Sequence, residues 1–177
     1  MTGHMLRLAP LLVVALTGPA AAEDHCVGHD NCLGVYFDAP VFEENCNTYI
    51  PAFSPFHFYF VLKSCSLTAI GGFEFAWLLA PSPGAYMVIL GFELPPGASA
   101  VPDPYNVIVQ LSDPLTVNGP CVLSDAKVMF FAPTNRTGIW VGPSTPASLP
   151  GHAVVMDAGD PPAVVPLFVG EFALPTG

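Results

Sequence analysis

The densest group of chemically versatile side chains lies near the N-terminus. It reads His25-Cys26-Val27-Gly28-His29-Asp30-Asn31-Cys32. Histidine nitrogens and cysteine thiolates are the usual ligands of zinc, but a structural zinc site takes its ligands in regularly spaced pairs. No CxxC knuckle or second ligand pair follows. We therefore predict a disulfide-pinned N-terminal segment, with a metal site at His25 and His29 as the alternative.

The same residues, read as Cys26-x-x-His29-Asp30-x-Cys32, resemble part of the helix signature of secreted phospholipases A2. In that family a His–Asp pair activates water beside calcium. The family has a second cysteine where His25 stands, and its glycine-rich calcium loop should lie upstream, where this chain has an apolar leader. The resemblance implies lipase-like chemistry that the surrounding sequence does not support.

Carboxylates offer two further kinds of site. Glu74 and Glu93 are candidates for the facing acid pair of a glycoside hydrolase, with solvated strand residues as the simpler interpretation. Asp157 and Asp160 lie in a short glycine-containing loop with oxygens suited to calcium, but the D-x-D-x-D-G ladder and its distal glutamate are missing. Turn chemistry explains that loop equally well. We expect no resident cofactor, with calcium as the alternative.

The remaining polar residues give no catalytic constellation. His57 and His152 are isolated, and each is predicted to be solvated or hydrogen-bonded. The G-x-S-x-G nucleophile elbow is absent from the sequence, including around Ser64, Ser66, Ser124 and Ser148. Exposed aromatic rings provide a sugar-stacking platform as an alternative to packing, and the candidates are Tyr59, Tyr105 and Trp140. We therefore predict that the protein is not an enzyme.

About nine short apolar segments must position these side chains. The chain contains 21 prolines and 16 glycines, and many of them fall between the segments as turn signals. The segments are Leu33–Asp38, His57–Lys63, Ile70–Leu79, Ala85–Gly91, Tyr105–Leu111, Cys121–Phe131, Gly138–Val141, His152–Met156 and Val164–Val169. Their period-two alternation predicts an all-β, antiparallel β-sandwich with little helix.

The stretch from His57 to Leu79 shows the alternation best, as two amphipathic strands joined by a short polar turn, and predicts a hairpin. Its predicted inward residues are Phe58, Phe60, Leu62, Phe73, Phe75, Trp77 and Leu79. Its predicted outward residues are His57, Tyr59, Lys63 and Glu74. Pro166 cannot donate to a ladder, so the last segment is predicted at a sheet edge.

The first residues of the chain have the layout of a secretory signal peptide. Arg7 precedes an apolar run, and small residues end at Ala22, where we predict cleavage. Residues 23–177, about 155 residues, then form one sandwich domain. Because no internal apolar run is long enough to cross a bilayer, we predict no membrane span and a secreted, extracellular or periplasmic protein.

Charge and cysteine content add two expectations. Four basic residues against fourteen acidic ones exclude a nucleic-acid partner and favour solubility, with cation binding or an acidic interaction face as alternatives. The five cysteines are disulfide candidates, and they are Cys26, Cys32, Cys46, Cys65 and Cys121. Their odd number leaves at least one thiol over; we favour Cys46 with Cys65 among the pairings.

Several motifs together resemble a group of exported bacterial proteins of unknown function. They include Asp30-Asn31-Cys32-Leu33-Gly34-Val35-Tyr36-Phe37-Asp38, Cys46, Tyr59–Leu62, Gly72-Phe73-Glu74, Leu94-Pro95-Pro96-Gly97, Pro143–Gly151, Asp157-x-Gly159-Asp160-Pro161 and Val165-Pro166-Leu167. The resemblance runs over nearly all of the predicted mature chain. It implies a strand layout similar to the Ig-like, cohesin-like sandwiches of extracellular assemblies, and it implies no activity or catalytic residue.

These observations favour a non-enzymatic, exported β-sandwich that acts through its surface in adhesion, assembly or ligand binding. We expect a protein or glycan partner at an exposed sheet face or edge. The alternatives are a metal-assisted hydrolase built on His25, His29 and nearby carboxylates, and a calcium-stabilised carbohydrate-binding module.

Overall fold

The computed structural model describes residues 26–37, 50–80, 86–99, 103–132 and 138–169. The predicted signal peptide with Ala22, and also His25 and Cys46, lie outside the described residues. The described part of the chain contains ten β-strands and no helix. The strands are β1 (Cys32–Tyr36), β2 (Pro55–Ser64), β3 (Ala69–Ala80), β4 (Met87–Glu93), β5 (Asn106–Thr116), β6 (Cys121–Phe130), β7 (Gly138–Gly142), β8 (Val154–Asp157), β9 (Val164–Pro166) and β10 (Phe168–Val169).

The strands form two sheets that pack face to face as a β-sandwich, as the alternation predicts. The front sheet has the order β10-β1-β2-β6-β4. The back sheet has the order β5-β3-β8-β9, and β7 pairs with the second half of β3. Every pair between these strands is antiparallel except β1 with β10, which is parallel.

The predicted hairpin from His57 to Leu79 is wrong, because its two strands belong to different sheets. β2 pairs with β1 and β6, whereas β3 pairs with β5, β7 and β8. The two strands meet through their side chains: the ring centroids of Phe60 and Phe75 lie 4.8 Å apart, and those of Phe58 and Trp77 lie 5.3 Å apart. Alternation shows which side of a strand is buried. It does not distinguish two strands that pair in a hairpin from two strands that face each other across a core, because both bury the same pattern of residues.

The predicted inward residues make up the centre of the sandwich. Phe58, Phe60, Phe73 and Phe75 are at most 1% exposed, and Trp77 is 2% exposed. The tilted and edge-to-face contacts among these rings are the arrangement that aromatic quadrupoles favour. Burying such large side chains supplies the main driving force for bringing the two sheets together.

The last predicted strand is two strands, and the chain changes sheets between them. β9 pairs with β8 at the edge of the back sheet, which confirms the edge position predicted from Pro166. The buried Leu167 follows, and its amide donates to the carbonyl of Ala153 at 2.8 Å. β10 then joins β1 in the front sheet. The predicted nine segments therefore become ten strands.

Candidate functional site

The outer face of the front sheet carries a row of polar side chains across four strands. Tyr36 pairs with Tyr59, Tyr59 with Asp125, and Asp125 with Glu93. Cross-strand partners project to the same side of a sheet. Since Phe58 and Phe60 point into the core, Tyr59 and the residues opposite it point outward. We call the surface formed by His57, Tyr59, Asp125 and Glu93 the front face.

His57 and Asp125 form the closest polar pair on the front face. His57 Nδ1 lies 2.9 Å from Oδ1 and 3.0 Å from Oδ2 of Asp125. Because a carboxylate only accepts, Nδ1 carries the proton and donates it. The side chain of His57 is 41% exposed and that of Asp125 is 22% exposed. The pair is therefore accessible to a ligand, and its imidazole is held in one orientation.

The ring of Tyr59 lies beside that of His57, with centroids 6.2 Å apart and planes 22° from parallel. Burial, the charge of Asp125 and the charge of Glu93 together raise the pKa of Tyr59 above its ordinary 10.0. Its hydroxyl is therefore fully protonated at neutral pH and serves as a hydrogen-bond donor. The front face thus presents two nearly parallel rings next to two carboxylates.

Tyr36 closes the other end of the row by packing flat on the sheet. Its ring covers Gly34, where an added Cβ would lie 2.6 Å from a ring carbon, so a larger residue there would displace the ring. The ammonium of Lys63 lies 5.1 Å from the centroid of the same ring, within the range of a cation–π contact. Tyr36 and Val61 are buried as a small cluster on this outer side. The side chains at this end of the row are packed against each other, so the front face is the part of the row that a ligand can reach.

A cleft of about 550 Å³ adjoins the front face. The cleft lies where β6 extends beyond its edge neighbour β4. Glu93, the last residue of β4, pairs with Asp125, whereas β6 begins four residues earlier, at Cys121. Pro95 and Pro96 also line the cleft. Glu93 and Asp125 line the cleft as well as the front face, and none of the described residues that line it is a lysine, arginine or histidine. The volume falls in the range of small-ligand sites.

Ser124 also lines the cleft, and its side chain is unusual. The residue is 1% exposed, and within the described residues its Oγ is the buried side-chain oxygen or nitrogen that has no hydrogen-bond partner. Leaving a buried hydroxyl unpaired costs about 1–3 kcal/mol. Such a group marks a place where a bound water or a ligand atom would recover free energy.

The described metal candidates from the sequence, His29, Asp157 and Asp160, lie away from the front face. The ring of His29 stacks on Phe168 with centroids 3.7 Å apart, so His29 packs the β1–β10 edge. Asp157 Oδ1 accepts from the amides of Gly159 at 3.0 Å and Ala163 at 2.7 Å, which is turn chemistry, and Asp160 is exposed. Across the described ranges no three His, Cys, Asp or Glu side chains gather as a metal site.

Glu74 and Glu93 do not face each other across a cleft, because they lie on different sheets. The carboxylate of Glu74 leaves the outer face of the back sheet as predicted, but the residue is only 6% exposed. It accepts from Ser148 Oγ at 2.6 Å, Ser148 N at 2.9 Å and Ser144 Oγ at 3.2 Å. Glu74 therefore anchors the loop before β8 and does not share a wet face with Tyr59 and Lys63.

The aromatic candidates do not form one platform. Tyr105 packs against Trp77, with centroids 4.8 Å apart. Trp140 is 38% exposed on the back sheet, opposite Leu78. Tyr59 is the one of the three that lies on the front face. The remaining exposed aromatic rings include Phe53, Tyr86 and Phe131, and Phe53 contacts Phe131 edge to face at 5.9 Å.

The disulfide in the described residues joins Cys26 and Cys32, which confirms the predicted disulfide-pinned segment before β1. Cys65 and Cys121 carry free thiols. The favoured pairing of Cys46 with Cys65 involves a residue outside the described ranges.

Sequence reasoning placed His57 and Tyr59 outward but missed Asp125, Ser124 and the cleft. Asp125 lies at an outward position of the predicted strand Cys121–Phe131, so its orientation was readable. Its pairing with His57, 68 positions away, depends on the register of β2 against β6, which no local pattern gives.

No protein-family model, curated protein or solved structure matches the chain. No helix in the described part of the chain is long and apolar enough to span a membrane. Chemically, the front face and cleft offer flat rings for stacking, carboxylates that accept hydrogen bonds and an oriented imidazole. The ring nitrogens of His57 make no contact with a hydroxyl or thiol nucleophile among the described residues.

Proposed function

We propose that the protein is an exported, non-enzymatic binding module that recognises a glycan with its front face and cleft. The observation that carries the proposal is the placement of two nearly parallel rings, His57 and Tyr59, beside the carboxylates of Asp125 and Glu93. A sugar ring has an apolar face of C–H groups and an edge of hydroxyls. Aromatic rings pack against the first, and carboxylates accept hydrogen bonds from the second.

Charge narrows the class of glycan. The chain carries a formal net charge of −10, and the described residues that line the cleft include two carboxylates and no basic side chain. Sulfated or uronic-acid glycans would be repelled. Neutral oligosaccharides and amino sugars fit, because their hydroxyls and ammonium groups donate to Asp125 and Glu93.

The proposal is tested by screening the purified protein on an array of neutral, amino and acidic glycans. Titration calorimetry then gives the Kd of each hit. We expect micromolar to millimolar binding of neutral or amino glycans and none of acidic ones. Tyr59→Ala should weaken binding roughly five-fold, since an aromatic contact contributes about 1 kcal/mol. Trp140→Ala, a matched loss of an exposed ring on the back sheet, should leave Kd unchanged.

Three results would count against the proposal. They are an empty glycan array, equal losses from Tyr59→Ala and Trp140→Ala, and turnover of a bound glycan by the wild-type protein. Capture of a protein partner through the front face, with no glycan bound, would assign the face to protein recognition and reject the glycan.

A further inference from the structure

Two free thiols lie next to each other at two of the places where the chain passes between the sheets. Cys65 follows β2 in the β2–β3 crossover, and Cys121 opens β6 at the end of the β5–β6 crossover. Both side chains are half-buried and pack against the same hydrophobic core. The Sγ of Cys65 accepts from the amide of Leu67 at 3.4 Å.

The two crossovers run antiparallel and are fixed to each other on both sides of Cys65. On the front-sheet side, Leu62 and Cys121 are register partners. On the back-sheet side, the amide of Val117 donates to the carbonyl of Thr68 at 2.9 Å. Cys65 lies midway in sequence between Leu62 and Thr68, in the segment that runs beside the one containing Cys121. A disulfide between neighbouring loops requires rotation about the side-chain bonds and small adjustments of the loop backbone.

The two sulfurs also lie within electrostatic reach of each other. Burial raises the pKa of the Cys121 thiol, and the charge of Cys65 raises it further. Burial likewise raises the pKa of Cys65. Two neighbouring half-buried thiolates repel each other, and this repulsion disappears when the sulfurs are joined.

We propose that Cys65 and Cys121 form a second disulfide that fastens the two crossovers together. A small or protein disulfide is the oxidant. One thiol loses its proton and attacks a sulfur of the oxidant, releasing a thiolate and forming a mixed disulfide. The other thiol loses its proton and displaces the second thiolate, so that one Sγ–Sγ bond forms and two electrons and two protons pass to the oxidant. Because thiolates are the nucleophiles, oxidation accelerates as the pH rises.

The bridge has two structural consequences. It crosslinks positions far apart in sequence, so it restricts the unfolded chain strongly. Cys121 also lines the cleft, so the bridge fixes one wall of that site in the oxidised protein. The bridge itself does not rest on glycan binding, and it leaves Cys46 as the unpaired cysteine of the five.

The test uses the full chain, purified and equilibrated at pH 8.5 with glutathione disulfide. Remaining thiols are blocked with iodoacetamide, and the protein is digested without reduction for mass spectrometry. We expect Cys65 and Cys121 in one linked peptide pair and Cys46 alkylated. A link from Cys46 to either residue, or alkylation of both Cys65 and Cys121, overturns the proposal.

Serine variants provide a second readout. Oxidation should raise the Tm of the wild-type protein by on the order of 10 °C. Cys46→Ser should keep this rise, whereas Cys65→Ser and Cys121→Ser should each lose it. Because each variant is compared with its own reduced form, a general loss of stability does not confuse the result. A rise that survives in Cys65→Ser but disappears in Cys46→Ser also overturns the proposal.

Discussion

The outer faces of the two sheets each carry a carboxylate in the middle of a long strand pair. The two carboxylates differ in how far they are covered by the rest of the chain. On the back sheet, Glu74 is covered by the loop before β8, and its oxygens accept from Ser144 and Ser148. On the front sheet, Asp125 remains 22% exposed and accepts a hydrogen bond from the ring of His57 on β2. The same alternation thus produces a structural anchor on one face and an accessible acceptor on the other.

The largest difference between the two faces should appear in stability. Glu74→Ala removes the acceptor for three hydrogen-bond donors, and we expect a loss of about 3 kcal/mol in the free energy of unfolding, measured by urea denaturation. Glu93→Ala removes an exposed carboxylate of the front face and should change it by less than about 0.5 kcal/mol. Equal losses from the two variants would show that the loop before β8 is held by something other than Glu74.

The contrast between the faces also shows what the sequence could predict. Local alternation placed Phe58 and Phe60 inward and His57 and Tyr59 outward, because a strand residue's side depends only on its position in the pleat. It could not show that Ser148, 74 positions from Glu74, folds back over that carboxylate. The same limit explains the false hairpin, since partners of β2 and β3 are fixed by contacts between distant segments. The side of a strand on which a residue lies can be predicted from local sequence. The strand's pairing partners, its register and the loops that cover it cannot.

On the front face, replacing the carboxylate should change titration more than stability. Asp125→Asn should lower the pKa of Tyr59, because it removes a charge that raises it, while burial keeps the pKa above 10.0. The change is measured by ultraviolet difference titration of each protein against its Tyr59→Phe version. The free energy of unfolding should fall by less than about 1 kcal/mol, since the His57–Asp125 pair is partly exposed. An unchanged Tyr59 titration would mean that the Asp125 charge does not reach the phenol.

The smallest expected effect is a loss of stability at alkaline pH that is caused by Tyr59 on the front face. A phenol whose pKa is higher in the folded than in the unfolded protein binds its proton more tightly when folded. Its contribution is therefore complete below the unfolded value, near 10.0, and is lost as the pH rises through the folded value.

Urea unfolding between pH 8 and 11 tests this dependence by comparing the wild-type protein with Tyr59→Phe. The wild type should lose stability more steeply above pH 10, and the difference between the two curves isolates Tyr59 from the other titrating groups. Glu74 on the back sheet provides the contrast, because Glu74→Gln should shift both curves by a constant amount without changing their separation. Parallel wild-type and Tyr59→Phe curves would instead place the phenol in an environment like water, unaffected by the carboxylates of the front face.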